Sequence, residues 1–393
     1  MGRFQLGSRS PDPGGLGPAP DGSDLRRRRR ALGTGDRPLR AARRAGAKDR
    51  LVGPEGGRGL RTATLALVVA VAALAAGCGE KSEDVSPGNP QPFDVALDFY
   101  VNADHAGLYE AIDRGYFRDA GLDVHPQVPS DPSAPIKEVA AGRVDLAISY
   151  EPEVLLAHDQ GLPVKAVAAV VPTPLTSLIW LKGSGIRDVK DLRGKTIATA
   201  GIPYQAAYLQ TILERSGLST HDVNVVNVQQ GLLPAILSGR ADAMLGGFLN
   251  VEGVDLRLRG KVPTVIPVGR LGIPTYDELV LVANSDHLND ETQNVRLFIA
   301  ALERGTKAAV TDPTSATKAV LNAGKGLSPK FTAAEVRKTL PLLLPRAGKR
   351  PYGYMDPRQW QRFAQFFADH GLIKALPSTG DVLTNDLLPG KIP

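Results

Sequence analysis

One short pattern occurs twice in this 393-residue chain and constrains its fold more than any other feature. The first copy is VAAGRVDLAISYEPE, residues 139–153, and the second is AILSGRADAMLGGFLNVE, residues 235–252. Each copy passes from an apolar helix end through Gly-Arg-x-Asp into an apolar strand, and then to an aromatic residue and a glutamate. A glycine at a helix end favours the left-handed conformation that stops the helix. The repeat therefore predicts the same helix–turn–strand unit in two lobes.

The sequence around both copies alternates strand-like and helix-like segments. The scheme begins with FDVALDF, HAGLYEAIDRGYF and GLDVHPQV, and it restarts at KTIATAG and QAAYLQTILERSG. Strands that alternate with helices are typical of parallel sheets covered on both faces. We therefore predict an α/β protein with two lobes, followed by a mainly helical C-terminal part.

The two copies differ in the side chains that follow each strand. These side chains are Ser149, Tyr150 and Glu151 in the first copy and Phe248, Asn250 and Glu252 in the second. Ligands of open α/β sheets bind beyond the carboxyl ends of the strands, and two such ends that face each other enclose a cleft. We predict a ligand site in this cleft. Arg143 and Arg240 are interpreted as solvated turn residues.

The basic residues are concentrated at the N-terminus. The formal net charge is +6, but residues 1–61 hold 15 Lys and Arg against 6 Asp and Glu, and the remainder holds 32 against 35. The body is therefore slightly acidic, and nucleic-acid binding by it is not supported. Residues 1–60 lack apolar periodicity and are expected to be disordered. A start at Val52 would leave most of this stretch untranslated; a basic nucleic-acid arm is the alternative.

Residues 61–77 have the composition of an export signal. Two arginines precede an uncharged apolar run at 62–76, which is shorter than the about 20 residues of a membrane span. LAAGC then ends at Cys78, the only cysteine, and resembles a bacterial lipobox with Ala75 where leucine is usual. We expect lipidation of Cys78, with a buried or free cysteine as the alternative. Residues 78–91 are expected to form a flexible tether.

The sequence shows no motif for metal binding or catalysis. The six histidines are scattered, without His-x₃-His or Cys-rich spacing, and a lone cysteine cannot form an internal disulfide. P-loop, G-x-S-x-G and G-x-G-x-x-G patterns are absent from any suitable context. We therefore expect no metal, no cofactor and no catalytic residue.

Four segments together resemble one family. LDFYVNADHAGLYEAIDRGYF, SDPSAPIKEVAAGRVDLAISYEPE, VVPTPLTSLIWL and SGRADAMLGGFLNVEG are similar to the SsuA/THI5-like (NMT1-like) substrate-binding proteins of ABC importers. Within this group they most resemble the proteins that bind thiamine pyrimidine precursors, hydroxymethylpyrimidine or formylaminopyrimidine. The resemblance extends over residues 93–372.

The resemblance implies a type II periplasmic-binding-protein fold, an α/β fold whose two lobes are joined by two crossover strands. LTSLIWLK and ELVLVAN match these strands. The implied boundaries place lobe one in residues 92–182 and 278–375, lobe two in residues 183–277, and a C-terminal tail in residues 376–393.

The ligand-binding positions of the family can be transferred where the segments match. They imply that the ligand contacts Asp98, Phe99, Asn102, His105, Ser149, Tyr150, Glu151, Pro172, Thr173, Gly201, Tyr204, Phe248, Asn250 and Glu252. Phe99 stands where the family has a tryptophan.

The chemistry of these residues fits an aminopyrimidine. The carboxyl group of Glu252 can pair with an exocyclic amino group and the ring nitrogen beside it, and Asp98 can act similarly. Aromatic side chains can stack on a flat ring. No arginine occupies the expected cleft, which disfavours sulfonate and nitrate. The structural alternatives are a solvated Glu252, a helix cap at Asp98, core aromatics and an exposed His105.

Together with the export signal, the resemblance implies a monomeric solute-binding lipoprotein outside the cytoplasm. It would capture an aminopyrimidine, deliver it to an ABC permease with its ATPase, and be held at the cell membrane by Cys78. Riboflavin or another flat heterocycle is the alternative ligand. The enzyme alternative is pyrimidine synthesis, which eukaryotic relatives perform with their own side chains and pyridoxal phosphate, but the chain lacks the cysteine-rich motif of that branch. A structural surface protein is a third alternative.

Overall fold

The computed structural model describes residues 86–344 and 350–390, which form two five-stranded sheets covered by helices. Cys78, the N-terminal leader and the expected start at Val52 lie outside the described residues. No helix within the described ranges is both long and apolar enough to cross a membrane.

The first sheet belongs to lobe one and combines N-terminal strands with one strand from much later in the chain. Its strands are β1 (Gln91–Ala96), β2 (Leu122–Gln127), β3 (Leu146–Ser149), β4 (Val164–Val171) and β10 (Leu279–Asn284). The order is β2-β1-β3-β10-β4, and β10 runs antiparallel to both of its neighbours. All six residues of β10 are buried, as expected for a continuous apolar run in the middle of a covered sheet.

The second sheet belongs to lobe two and repeats this plan. Its strands are β5 (Thr176–Leu181), β6 (Thr196–Thr199), β7 (Asn224–Asn227), β8 (Ala243–Phe248) and β9 (Pro263–Pro267). The order is β7-β6-β8-β5-β9, with β5 antiparallel to β8 and β9.

The helices cover both sheets and complete lobe one. They are α1 (Ala106–Asp113), α2 (Tyr116–Asp119), α3 (Ala134–Ala140), α4 (Glu151–Asp159), α5 (Pro203–Glu214), α6 (Leu232–Leu237), α7 (Glu252–Leu258), α8 (Leu288–Thr311), α9 (Pro313–Ala323), α10 (Pro329–Thr339), α11 (Pro357–Asp369) and α12 (Thr379–Val382). Short 3₁₀ turns lie at Ala103–His105, Val189–Leu192, Thr220–Asp222, Val268–Leu271 and Leu340–Leu342. The C-terminal part is mainly helical, as the sequence predicts.

The repeated turn has the same backbone geometry in both lobes. Gly142 and Gly239 stop the preceding helices at φ values of 65° and 74°, which only glycine adopts without strain. Asp145 then accepts from the Asp94 N–H at 2.6 Å, and its own N–H donates to the Asp94 carbonyl. Asp242 makes the same pair of bonds with Thr196. In each lobe the aspartate fixes the register between two parallel strands.

The sheet pairing moves the first lobe boundary predicted from the sequence. Strand β5, taken as the end of lobe one at residue 182, pairs entirely within the second sheet. Lobe two therefore begins at about Thr176, because β5 can satisfy its backbone groups only beside β8 and β9. Strand β10, which begins at Leu279, pairs within the first sheet.

The C-terminal segment, which the sequence predicts as a tail from residue 376, packs against lobe one. Leu383 forms a bridge to Ala166 of β4, and Leu387 and Leu388 are buried. Upstream, α11 buries the side chains of Trp360, Phe363 and Phe367, which lie on one face of the helix. The described chain therefore remains part of lobe one up to residue 390.

Candidate functional site

A cavity lies between the two lobes, at the carboxyl ends of strands from both sheets. Its volume is about 970 Å³ including the solvent at its open mouth. Its lining comprises Asp98, Phe99, Tyr100, Val101, Asn102, Pro132, Tyr150, Thr176, Ala200, Ile202, Tyr204, Gln205, Leu232, Gly246, Phe248, Val251, Glu252, Leu327, Thr332 and Glu335. The segments that follow the two repeated turns thus both contribute to one cavity.

Asp98 is held in place on the lobe-one side by two buried partners. The Asn102 backbone N–H donates to His105 Nδ1 at 3.3 Å, so the ring proton lies on Nε2, which donates to Asp98 Oδ1 at 2.8 Å. The Tyr150 hydroxyl donates to Asp98 Oδ2 at 2.9 Å. A carboxylate oxygen accepts more than one hydrogen bond. Asp98 therefore keeps acceptor capacity for a ligand while its orientation is fixed.

Glu252 lies on the lobe-two side at the start of α7. Its carboxylate accepts from the Phe248 N–H at 2.7 Å, which closes the loop after β8. Burial raises the pKa of Glu252, and the bond from Phe248 lowers it by a smaller amount. Burial makes the ionised form of this carboxyl group costly unless hydrogen-bond donors stabilise it. The site therefore favours a ligand that presents such donors.

A third carboxyl group comes from the C-terminal part of lobe one. Glu335 on α10 lines the cavity, and burial raises its pKa to about 7, with Asp255 and Glu252 adding to the shift and Arg259 opposing it. The cavity lining thus contains three carboxyl groups, and no lysine, arginine or histidine is among its described residues. This charge favours cationic or donor-rich ligands over anions.

Aromatic rings form much of the remaining wall. The rings of Tyr150 in lobe one and Tyr204 in α5 are tilted by 57° with their centroids 6.2 Å apart. Phe99 and Phe248 also line the cavity. Aromatic faces stack favourably on flat heterocycles. The arrangement of rings around carboxyl groups fits a planar ligand whose edge carries N–H donors.

Gly246 allows the wall of lobe two to close around Gln205. It adopts a φ of 111°, and a Cβ atom there would lie 2.5 Å from Gln205 Nε2. Gln205 in turn accepts from the Ala200 N–H at 2.9 Å. The glycine therefore serves the packing of the cavity wall, since any larger residue would displace this amide.

Seven of the residues predicted to contact a ligand line the cavity. They are Asp98, Phe99, Asn102, Tyr150, Tyr204, Phe248 and Glu252. The other seven lie outside its described lining: His105, Ser149, Glu151, Pro172, Thr173, Gly201 and Asn250. His105 is buried behind Asp98, so the alternative of an exposed histidine is wrong.

Glu151 lies at the connection between the lobes. Its Oε2 accepts from the Asp277 N–H at 2.7 Å, and burial raises its pKa well above the ordinary value. Next to it, Glu278 accepts from the N–H groups of Leu175 and Thr176 at 2.6 and 2.8 Å. The bonds of Glu278 join the two crossover segments, which are the connection between β4 and β5 and the stretch that leads into β10. The bond of Glu151 joins α4 to the second of these segments. The structure therefore gives Glu151 a place in the hinge.

The remaining residues outside the lining have structural positions. Ser149 donates to the buried Glu153 at 3.1 Å, and Pro172 and Thr173 belong to the first crossover segment. Gly201 has a φ of 77°, and a Cβ there would collide with Asn227. Asn250 crosses to lobe one, where Nδ2 donates to Asp104 Oδ1 and Thr339 Oγ1, each at 2.7 Å.

Sequence reasoning missed the lining that comes from distant segments. Leu327, Thr332 and Glu335 belong to the helical C-terminal part, which carries no copy of the repeat. Gln205, which directly follows the predicted Tyr204, also lines the cavity. The adjacent glycines at 246–247 are the sequence signal that indicates close packing against Gln205. Among the described residues, no group of three or more His, Cys, Asp or Glu side chains is placed to hold a metal ion.

Comparisons with known proteins agree with this architecture. The chain is 34% identical over 280 residues to a formylaminopyrimidine-binding protein of Halalkalibacterium halodurans, covering 70% of this chain and 84% of that one. It is also 34% identical over 284 residues to a protein of Haemophilus influenzae named for thiamine biosynthesis, covering 72% and 88%. A more distant match, 26% identical over 225 residues, is a 4-amino-5-hydroxymethyl-2-methylpyrimidine phosphate synthase of Saccharomyces cerevisiae, covering 54% and 66%.

The fold has close counterparts among solved structures. The alkanesulfonate-binding protein SsuA of Xanthomonas axonopodis pv. citri superposes with a TM-score of 0.60 at 19% identity, covering 76% of this chain and 99% of that one. The two-lobe fold is therefore that of the periplasmic binding proteins, as predicted. The family described as NMT1/THI5 like matches residues 102–316, and the chain belongs to this family.

Proposed function

We propose that this protein is the extracytoplasmic solute-binding component of an ABC importer and that it captures a small aminopyrimidine precursor of thiamine. The observation that carries the proposal is a cavity with aromatic walls and three carboxyl groups, Asp98, Glu252 and Glu335, without a basic side chain among its described lining. An aminopyrimidine has a flat ring for stacking and an edge of N–H donors for a carboxyl group.

The relatives support the same ligand class. A binding protein for formylaminopyrimidine and a protein named for thiamine biosynthesis each share 34% of aligned residues with this chain. The alkanesulfonate-binding neighbour has the fold but only 19% identity. A sulfonate would meet carboxyl groups on both sides of this cavity, so an anionic ligand is disfavoured here.

Capture is proposed to occur by closure of the two lobes around the ligand. Two crossover segments connect the lobes, and Glu278 ties one to the other through Leu175 and Thr176. A small change in these segments can rotate one lobe against the other. The closed form would then present both lobes to the permease, with its ATPase on the far side of the membrane.

The enzyme alternative is less well supported by the cavity. The synthases that match the chain produce a phosphate ester, as their name states, and a phosphate group is normally held by basic side chains or helix N-termini. The described lining offers carboxyl groups instead. We therefore favour binding without catalysis.

We further propose that the mature protein begins at a lipidated Cys78, is held by it at the outer face of the cell membrane, and works as a monomer. The support is the short apolar leader that ends at the only cysteine. Mass spectrometry of the membrane fraction should find a lipid adduct on Cys78, and Cys78→Ala should release the protein or leave its precursor uncleaved. A wild-type mature protein without a lipid adduct would refute the anchor.

Calorimetry tests the ligand directly. Hydroxymethylpyrimidine and formylaminopyrimidine are titrated into the purified protein, with riboflavin and an alkanesulfonate as control ligands. We expect binding of at least one pyrimidine and none of the sulfonate. Tight binding of riboflavin with no binding of either pyrimidine would assign the cavity to another flat heterocycle.

A further inference from the structure

The contact that Asn250 makes across the cleft contains two buried atoms without a hydrogen bond. Asn250 Nδ2 uses both of its N–H groups, one for Asp104 Oδ1 and one for Thr339 Oγ1. Asp104 Oδ2 and Asn250 Oδ1 have no partner among the described residues, and both side chains are at most 2% exposed. Rotating the Asn250 amide by 180° would place its oxygen against Asp104 Oδ1. The orientation with Nδ2 directed at Asp104 and Thr339 is therefore the favourable one.

We propose that Asp104 is protonated on Oδ2 when the lobes are closed and donates this proton to Asn250 Oδ1. A carboxylic acid and a carboxamide then form two hydrogen bonds in one ring, and the second amide N–H remains for Thr339. A single proton thus satisfies both unpaired atoms, which would otherwise be a costly pair of buried acceptors. This inference rests on the proposed function, because it concerns closure around a ligand.

Asp104 and Asn250 are positioning residues in this scheme, since neither lines the cavity. Asn250 lies between Phe248 and Glu252, which do line it. Holding Asn250 against lobe one holds the loop after β8, and with it the aromatic ring and the carboxyl group that face the ligand.

The surroundings of Asp104 favour the protonated acid. Burial raises its pKa to about 7; His105 lowers it, Asp98 raises it, the hydrogen bond from Asn250 lowers it, and Glu252 across the cleft raises it. On the neighbouring α1, Glu110 is already paired with Arg114, and α10 contributes the uncharged Thr339 to the contact.

The direction of the pH dependence follows from this shift. In the proposed opening Asn250 leaves Asp104, water reaches the carboxyl group and its pKa returns towards the ordinary carboxyl value. Closure then takes up a proton between that value and about 7. The contribution to affinity is complete below the ordinary carboxyl pKa and is lost as the pH rises through about 7. Affinity should therefore fall by up to about tenfold per pH unit between pH 5 and 7 and level off by about pH 8.

A buried water molecule is the competing explanation. A small cavity adjoins Asp104 and is also lined by Leu108, Thr306 and Leu343. A water there that donates to Oδ2 would leave Asp104 ionised. In that case ligand binding would take up no proton at Asp104, so the two explanations give opposite results.

The test is calorimetry with hydroxymethylpyrimidine at pH 6 in two buffers of different ionisation enthalpy. Wild type should take up close to one proton more per ligand than Asp104→Asn. The variant replaces the acid by an amide that forms the same ring without a proton, so its affinity should match wild type within about threefold at pH 4, exceed it by up to about 100-fold at pH 6 and change less with pH. Titration of the ligand itself is common to both proteins and cancels in the comparison.

Two further variants make the result specific. Glu335→Gln removes a cavity-lining group that also has a pKa of about 7 and should keep the proton uptake of Asp104. Asn250→Ala removes the ring and should weaken binding at every pH. Equal proton uptake by wild type and Asp104→Asn would overturn the proposal, and so would full affinity in Asn250→Ala.

Failure of the proposed ligand can be separated from failure of this inference. If wild type binds neither pyrimidine at any pH, the proposed function is wrong. The ligand-free proteins are then compared by small-angle X-ray scattering between pH 5 and 8. The radius of gyration should increase with pH in wild type and stay constant in Asp104→Asn; a wild-type radius that does not change with pH would overturn the acid–amide pair.

Discussion

In lobe one, most of the residues after the repeated turn point into the protein, whereas in lobe two they point into the cleft or across it. Tyr150 reaches the cavity, but Ser149 bonds to Glu153 and Glu151 to the backbone of the hinge. After the second turn, Phe248 and Glu252 line the cavity and Asn250 bonds to lobe one. The same turn therefore supports a fixed wall on one side and a closing wall on the other.

What the two turns share is backbone geometry. The glycine that ends the helix and the aspartate that fixes the strand register are equivalent in both copies. What differs is the strand that follows: β3 has four buried residues, whereas β8 contains Gly246 and Gly247 just before its last residue, Phe248. The two glycines bring the backbone close to Gln205 and Met244. Gly246 itself lines the cavity, so the second wall includes closely packed backbone beside the side chains that we expect to meet a ligand.

The largest expected effect contrasts Gly246→Ala with Gly142→Ala. At Gly246 a side chain adds both backbone strain and a collision with Gln205, for a loss of about 3 kcal/mol in the free energy of unfolding. At Gly142 there is strain at a φ of 65° but open space, for a loss of about 1 kcal/mol. Urea unfolding measures both; equal losses would show that the second wall is not tightly packed.

The next effect tests what the two turns have in common. Asp145→Ala and Asp242→Ala each remove a carboxylate that accepts from a neighbouring strand. We expect a loss of about 2 kcal/mol in unfolding free energy in either variant. The matched asparagine variants keep an acceptor and should lose less. A large loss in one lobe with none in the other would contradict the equivalence of the turns.

The glutamates after the two turns should separate affinity from stability. In Glu252→Gln the single amide oxygen remains the acceptor for the Phe248 N–H, so the NH₂ group faces the ligand's own donor. Pyrimidine binding should weaken at least about tenfold, with little change in the melting temperature of the ligand-free protein. Glu151→Gln keeps an acceptor for the Asp277 N–H and should leave affinity unchanged. Calorimetry and thermal unfolding of both variants decide; equal affinities would remove Glu252 from the ligand site.

The comparison of the two turns also shows which parts of the site can be predicted from the sequence. The repeat, the strand ends and the resemblance indicated the two lobes and placed Asp98, Tyr150 and Glu252 near one cavity, because periodic patterns and turn glycines are local signals. They did not indicate Glu335, which reaches the cavity through the packing of α10. They also did not distinguish Asn250 from Glu252, since a two-residue difference in a loop decides between the facing lobe and the cavity.

The smallest expected effect concerns the arginine that both turns contain. Arg143 and Arg240 are exposed, and a solvated charge contributes little to stability or to a buried site. Arg143→Ala and Arg240→Ala should each change the unfolding free energy by less than about 0.5 kcal/mol and leave pyrimidine affinity within about twofold. Calorimetry and urea unfolding test both values against wild type. A marked loss of affinity in only one variant would show that the two turns differ at the arginine as well as after the strand. Normal affinity combined with reduced uptake in cells would instead place that arginine at the contact with the permease.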